Sequence, residues 1–517
     1  MTPPADFIIV GAGSAGCVMA RVLAERGFGV ILVEAGPDSP VGRAPASYLK
    51  SFGSGEDWAF ETIPQAGLAQ RKLSWPRGRG PGGSTRINAM IWYPPQPQDL
   101  AQIALAGGAR WSSDSLSTHL PQLHEWVRPE PPRWISETTR RFLLAAAERD
   151  LSFHAFTRMT CQGRRRTAFD LVAESRSHSR IQSVTASVLR IRFEASRATG
   201  VELLPEGGQQ PLTIRADIAV ILSAGAIGSP TLLMHSGIGP GDVLDEIHVD
   251  PVQVIEQVGL NLSDHLIMPI IFATPPQHRF PVAPNGHHLA RFQIAGTGPL
   301  ASNLAEAGGV FRLPGSSTRE ALKSDRSDQV ATARPTSRWA QIHVTPTHYL
   351  LHPDPRAPAA MTIGVNLCDP HSRGRLRLRP STDRRPAAVQ IDPAYLSDAG
   401  DIGPMLLAIG FVRELAEQSS LKSFCRQELL PGLSRDTDEA LIRCVARYAQ
   451  TLYHPVGTCR MGRDCASVVD ERLAVRGITG LHIVDGSVLP GIPSVNPNAT
   501  VMMLARHAAE MIAESSA

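Results

Sequence analysis

Phe7-Ile8-Ile9-Val10 is a short unbroken apolar run, the pattern of a strand buried on both faces of a parallel sheet. Gly11-Ala12-Gly13-Ser14-Ala15-Gly16 follows, and Val18, Ala20, Val22 and Leu23 then continue into a helix ending near Gly27. Val30-Ile31-Leu32-Val33 is a second buried strand with Glu34 at its end, so this opening segment predicts a βαβ unit. Two more apolar runs, Ile218–Leu222 before Ser223-Ala224-Gly225-Ala226 and Leu481–Val484 before Asp485, predict further strands of the same kind. A last helix is predicted to start near Ala499, with Val501, Met502, Leu504, Ala505 and Ala508 at helical spacing. The dinucleotide-type domain therefore draws on the start, a middle block and the end of the chain. Helical patterns run from Asp401 to Leu415 and from Asp438 to Thr451. Arg373–Arg379 alternates Arg with Gly or Leu and predicts an edge or half-exposed strand. The Pro/Gly/Ser/Thr-rich stretch from Pro275 to Pro335 reads as loops over a second domain.

At 517 residues the chain is long enough for two or three structural units. A formal charge of +3 argues against nucleic acid as the main partner. Seven scattered Cys with no Cys-x-x-Cys point to reduced thiols, and the absence of His-Glu-x-x-His or another compact ligand set predicts no metal. No basic and apolar leader precedes the first strand, and no apolar run approaches the ~18 residues of a membrane span. A soluble, cytoplasmic protein is the expectation. Arg164-Arg165-Arg166 reads as a solvated face, and His287-His288 and the His119/His124 pair as surface or packing residues.

The Gly-x-Gly-x-x-Gly lies between a strand and a helix, with Glu34 standing 23 residues after Gly11 (34 − 11). Gly11 allows the tight turn, Gly13 lets the backbone approach a pyrophosphate at the helix N-terminus, and Gly16 lets helix and strand pack closely. Glu34 can accept hydrogen bonds from ribose hydroxyls and would repel a 2′-phosphate. The fingerprint leaves NAD and FAD open. Arg77–Met90 is a second glycine-rich loop, in which Gly82-Gly83 permits close backbone approach to a flat or phosphorylated ligand. Near the C-terminus, His454 and Asn498 stand 44 residues apart (498 − 454), each in a Pro/Gly-punctuated segment. Imidazole is the side chain most easily poised as a base near neutral pH, and an amide can bind a substrate oxygen without adding charge.

Gly225–Gly239, Gly78–Asn88, Glu34-Ala35-Gly36, Gly259–His265 and Tyr453–Met461 together resemble the glucose-methanol-choline (GMC) flavoprotein family over roughly the whole chain. Pro81 and Arg86 depart from the usual aliphatic and small polar residues of the second signature. The resemblance implies an α/β plus α+β fold. A discontinuous Rossmann-like FAD-binding domain (1–125, 175–268, 452–517) joins a lid-bearing segment (126–174) and a substrate-binding domain on an antiparallel sheet (269–451). It implies FAD against Gly11, Gly13, Ser14, Gly16, Glu34, Ala35, Trp58, Arg79, Gly83, Asn88, Ala89, Met90, Val188, Ala224, Gly225, Asp485, Gly486, Asn496 and Pro497. Some choline-oxidising relatives tether FAD through a His where this chain has Ile87, so the cofactor is expected to be non-covalent.

The resemblance further implies oxidation of a primary alcohol. His454 takes the hydroxyl proton, a hydride passes to flavin N5, and Asn498 donates to the developing alkoxide. Oxygen or another compound is the electron acceptor. The alternative within the family is a hydroxynitrile lyase that keeps the same pocket without net redox change. A family insert with a Gly-His-Gly element is missing between Trp92 and Phe142, which implies a shorter lid. Trp92, His343, His348, Leu452 and Tyr453 are candidate pocket residues.

Overall fold

In a computed structural model, the described residues are 5–313 (except 41 and 282), 338–380 and 387–516. The opening pattern folds as read: strand β1 (Ala5–Val10), helix α1 (Ser14–Glu25) and strand β2 (Val30–Glu34). Three further strands, β3 (Ile181–Glu194), β4 (Arg197–Pro205) and β5 (Leu212–Leu222), precede helix α2 (Gly225–His235). Spatially, β3, β2, β1, β5 and the short strand Leu481–Ile483 lie side by side and parallel. β4 joins the far ends of β3 and β5 antiparallel. β1 and most of β2 are buried, as continuous apolar runs require in a sheet covered on both faces.

A second sheet is wholly antiparallel. Its main strands are β6 (Leu266–Ala273), β7 (Ala307–Arg312), β8 (Trp339–Thr345) and β9 (Ala360–Leu367), paired in the order β6, β9, β8, β7. Gln427–Leu430 extends it beyond β6 and His154–Ala155 beyond β7. The chain ends in helix α3 (Asn498–Ser516), which packs on α1. No helix among the described residues is long and apolar enough to cross a membrane.

Three local readings change. The segment 275–335 contains a helix, Gly286–Ala295, and all of β7, while residues 314–337 lie outside the described residues. The helix from Asp438 stops at Tyr448, because Ala449 leaves helical geometry (ψ 147°) and Gln450–Thr451 pairs with β6. Gly374–Arg379 is half-exposed, with Leu376 and Leu378 buried, but it is the centre of a three-stranded sheet between Leu260–Leu262 and Ala388–Asp392.

Candidate active site

A cavity of about 830 Å³ lies between the two sheets, lined by residues from both. Its first half is a cradle of backbone. Gly11 adopts φ +103°, and a Cβ there would stand 2.5 Å from the Ser223 carbonyl oxygen. A Cβ on Gly83 (φ +51°) would meet Gly13 Cα at 2.7 Å, so the two glycine-rich loops touch backbone to backbone. Gly16 is buried against the turn, where a Cβ would strike the Gly11 oxygen at 1.9 Å; it packs helix on strand and does not line the cavity. The Glu34 carboxylate accepts N–H bonds from Ala12, Gly36 and Gly80 at 3.0 Å each, and so ties both loops together. Asp485 does the same at the other wall, accepting from Gly225 N–H and the Ser229 hydroxyl.

Most of the cofactor set comes together here. Gly11, Gly13, Ser14, Glu34, Ala35, Trp58, Gly83, Asn88, Ala89, Met90, Val188, Ala224, Gly225, Asp485, Gly486, Asn496, Pro497 and Asn498 all line the cavity. Arg79 does not: its guanidinium lies 5.3 Å from the Trp58 ring centre and donates to the Ala35 carbonyl. Ile87 lines the wall with a side chain that has no nucleophile. The donor set and the close-packed glycines fit a dinucleotide, whose phosphates need backbone N–H groups with no side chain in the way.

The two departures in the second signature are structural. Arg86 is buried and turned away from the cavity. It donates to Pro81 and Ser39 carbonyls and pairs with Glu56 at 2.7 Å. Two residues of the Arg triplet also depart from the solvated reading, while Arg164 stays partly exposed. Arg165 is buried and donates to the Thr85 and Asn88 carbonyls and to Asn88 Oδ1, while Arg166 is buried against Trp126, Val127 and Glu174. Backbone carbonyls, whose positions they fix, accept from the terminal N–H groups of these buried guanidiniums, while Arg86 Nε and Arg165 Nε find no partner among the described residues.

His454 faces the cavity from the other side. Its backbone N–H donates to Asp264 at 2.6 Å, and Asp264 also accepts from Thr451 and Tyr395 hydroxyls. Tyr453 adopts φ +65°, and Arg77 donates to its carbonyl at 2.6 Å, so the backbone carrying the imidazole is held on both sides. The ring sits in a chain of three contacts. His265 Nε2 lies 3.3 Å from the Cys368 carbonyl, which can only accept; that nitrogen therefore carries hydrogen. In neutral His265 the Nδ1 is then an acceptor. His454 Nδ1, 3.0 Å away, must donate to it. The lone pair of His454 is left on Nε2, where the Asn496 amide nitrogen approaches to 3.2 Å. Gln341 donates to Asn496 Oδ1 at 3.3 Å, which turns the amide NH₂ toward His454. Burial pushes the His454 imidazole well below its ordinary range, helped by His265, His343 and Arg77, so it is neutral.

Both members of the expected His454–Asn498 pair line the cavity, but the amide hydrogen-bonded to His454 is that of Asn496. Asn498 begins α3 and its Oδ1 accepts from Ser14 at 2.6 Å, beside the first glycine turn. The amide that reaches His454 is Asn496, two residues earlier, while Asn498 also lines the cavity and its Nδ2 is buried with no hydrogen-bond partner among the described residues. Of the candidate pocket residues, His343, Leu452 and Tyr453 line the cavity; Trp92 and His348 do not. His265, Gln341 and Asp264 were not singled out. Asp264-His265 stood only as a landmark, and Gln341 shows only as a polar position alternating with Ala340 and Ile342.

The profile of the family described as GMC oxidoreductase matches residues 5–267 in its N-terminal part and 370–505 in its C-terminal part. The chain belongs to the GMC oxidoreductase family. It is 32% identical to an alcohol dehydrogenase (acceptor) of Pseudomonas putida, over 98% of this chain and 95% of that one. It is 30% identical to an oxygen-dependent choline dehydrogenase of Ectopseudomonas mendocina, over 98% and 94%. Among solved structures it is similar to pyridoxine 4-oxidase from Mesorbium loti, with 28% identity, a TM-score of 0.79 and 98% of each chain covered. The GMC chain described here is thus an FAD-dependent oxidoreductase acting on CH–OH groups.

Proposed function

We propose that this GMC protein oxidises a primary alcohol to its aldehyde, with His454 as the base and Asn496 as the amide partner. The observation that supports it most is that His454 and Asn496 both line the cavity and that the accepting His454 Nε2 meets the Asn496 NH₂ at 3.2 Å. A substrate hydroxyl entering between them donates its proton to Nε2 and accepts from the amide, replacing one hydrogen bond by two. Gly11, Gly13, Ser14, Glu34, Gly83, Asp485 and Pro497 hold FAD, without a covalent bond since Ile87 offers none. When bound, FAD supplies the two-electron acceptor for the hydrogen leaving the substrate carbon.

As the proton moves toward His454 Nε2, negative charge builds on the substrate oxygen before the hydrogen leaving carbon drains it into the new carbonyl. His454 takes the proton and Asn496 donates to the oxygen, so both interactions strengthen toward the transition state and lower the barrier. His265 keeps the accepting lone pair on Nε2, and the backbone bond to Asp264 keeps the ring in place. The test is an anaerobic visible spectrum titrated with primary alcohols. Wild type is bleached; His454→Ala keeps its yellow cofactor and reduces on the order of 10²–10⁴ more slowly. Normal reduction by the variant would sink the assignment. Admission of air then separates an oxidase, whose colour returns at once, from a dehydrogenase.

A further inference from the structure

The alternation Trp339-Ala340-Gln341-Ile342-His343-Val344-Thr345 places Ala340, Ile342 and Val344 on the core side of β8 and Gln341, His343 and Thr345 on the other. Gln341 is committed to Asn496. His343 is not committed: both ring nitrogens are buried, and neither finds a hydrogen-bond partner among the described residues. The residue lines the cavity and is 4% exposed. A buried polar group left unpaired costs about 1–3 kcal/mol, so two on one ring mark a place where a ligand supplies the partners. Directly opposite on β9 is Gly364, which also lines the cavity together with Ile267, whose side chain lies 2.4 Å from where a Cβ on Gly364 would stand.

We propose that His343 is the specificity-determining residue of the substrate site, and that it selects neutral aromatic or heteroaromatic primary alcohols carrying a hydrogen-bonding ring group. This rests on the alcohol-oxidation reading above. Two residues along a strand span about 7 Å. His343 and the Gln341 that holds the Asn496 amide therefore stand about 7 Å, one ring's width, apart along β8. Burial, then His265, pushes His343 down to about 3, so it is neutral and offers one donor and one acceptor. Such a pair suits a ring nitrogen, phenol or carbonyl. Charged substrates find no counterpart. Among the described lining residues the acids are Glu34 and Asp485, both bound to backbone N–H groups in the cofactor cradle, and the guanidinium is Arg77, bound to the Tyr453 carbonyl. A quaternary ammonium placed beside His343 would lose water without meeting an uncommitted carboxylate.

The experiment is stopped-flow anaerobic flavin reduction of holoenzyme by benzyl alcohol, pyridin-3-ylmethanol, 4-hydroxybenzyl alcohol and choline. Wild type, His343→Phe and His343→Gln are compared at matched flavin content. Wild type should favour the pyridine or phenol alcohol over benzyl alcohol by about 10- to 100-fold in reduction rate over Kd. His343→Phe should bring that ratio near one, and His343→Gln, which keeps a donor and an acceptor, should restore part of it. An unchanged ratio in His343→Phe, or choline as the best substrate, overturns the proposal while leaving alcohol oxidation standing. If no alcohol reduces the wild-type flavin, both readings fall together.

Discussion

At the scale of the residue, two asparagines two positions apart carry separable work. Asn496→Ala should keep FAD and lower the reduction rate on the order of 10²–10³, the usual effect of removing one donor to a developing oxyanion. Asn498→Ala should leave the intrinsic reduction rate within a few-fold but loosen FAD, since it frees Ser14 beside the first glycine turn. Rapid reduction kinetics and flavin retained per chain after gel filtration separate the two; reversed effects would return the pair to His454 and Asn498. The sequence could place an Asn-Pro-Asn beside the site. It could not tell which amide faces the imidazole, because that depends on where α3 starts relative to the turn. The acid limb of activity is also a residue property. Burial holds His454 neutral well below the ordinary His range, so the rate of reduction should stay flat through neutral pH and fall only below it. For stability the sign is set by proton uptake on unfolding. His265, pushed down to about 4 by burial, and His343, at about 3, bind a proton only once unfolded in the window from about 6.5 downward. Stability is therefore full above about pH 6.5 and declines as pH falls toward 4, by about 3 kcal/mol for His265 alone. Urea midpoints between pH 7 and 4.5 that do not move would contradict this.

At the scale of the element, the cradle depends on loops pressed together more closely than any side chain allows. Gly83→Ala adds a Cβ 2.7 Å from Gly13 Cα in a left-handed conformation, so it should drive the loops apart and yield protein that is folded but largely colourless. Circular dichroism with the flavin-to-protein ratio checks both halves of that statement. Arg165→Ala should cost flavin more mildly, because Thr85 and Asn88 lose their shared donor while the glycines remain. The elements with strong local periodicity were legible: β1, α1, β2, the helix at 402–416 and α3 all follow from their apolar spacing. Arg165 and Arg166 were not, because a run of three Arg looks the same whether it meets water or carbonyls. The polar face of β8 was present in the alternation, but its meaning required the pairing with β7 and β9, which local pattern does not contain.

At the scale of the whole molecule, the cavity is lined near the start of the chain by Gly11, Gly13, Ser14 and Ala15, in the middle by Ser223–Gly228, and near the end by Asp485, Gly486, Asn496, Pro497, Asn498 and Val501. A ligand in the cradle therefore touches segments nearly the full chain apart, all belonging to one parallel sheet and the turns at its strand ends. That discontinuity was readable because strands buried on both faces are continuous apolar runs wherever they fall in sequence. The place where the antiparallel sheet closes over them was not. A cofactor that binds only the folded chain stabilises it by mass action, about 2.7 kcal/mol at a free concentration 100 times Kd. Thermal unfolding of deflavinated protein should then shift upward steadily with added FAD, and less with Ser14→Ala, which loses the contact between the first turn and α3. The same scan with NAD should leave the midpoint in place. Equal shifts from both dinucleotides would mean that the cradle reads only the shared pyrophosphate and adenosine. The wall formed by Gly83, Asn88, Met90 and Pro497 would then lose its assignment to the flavin ring.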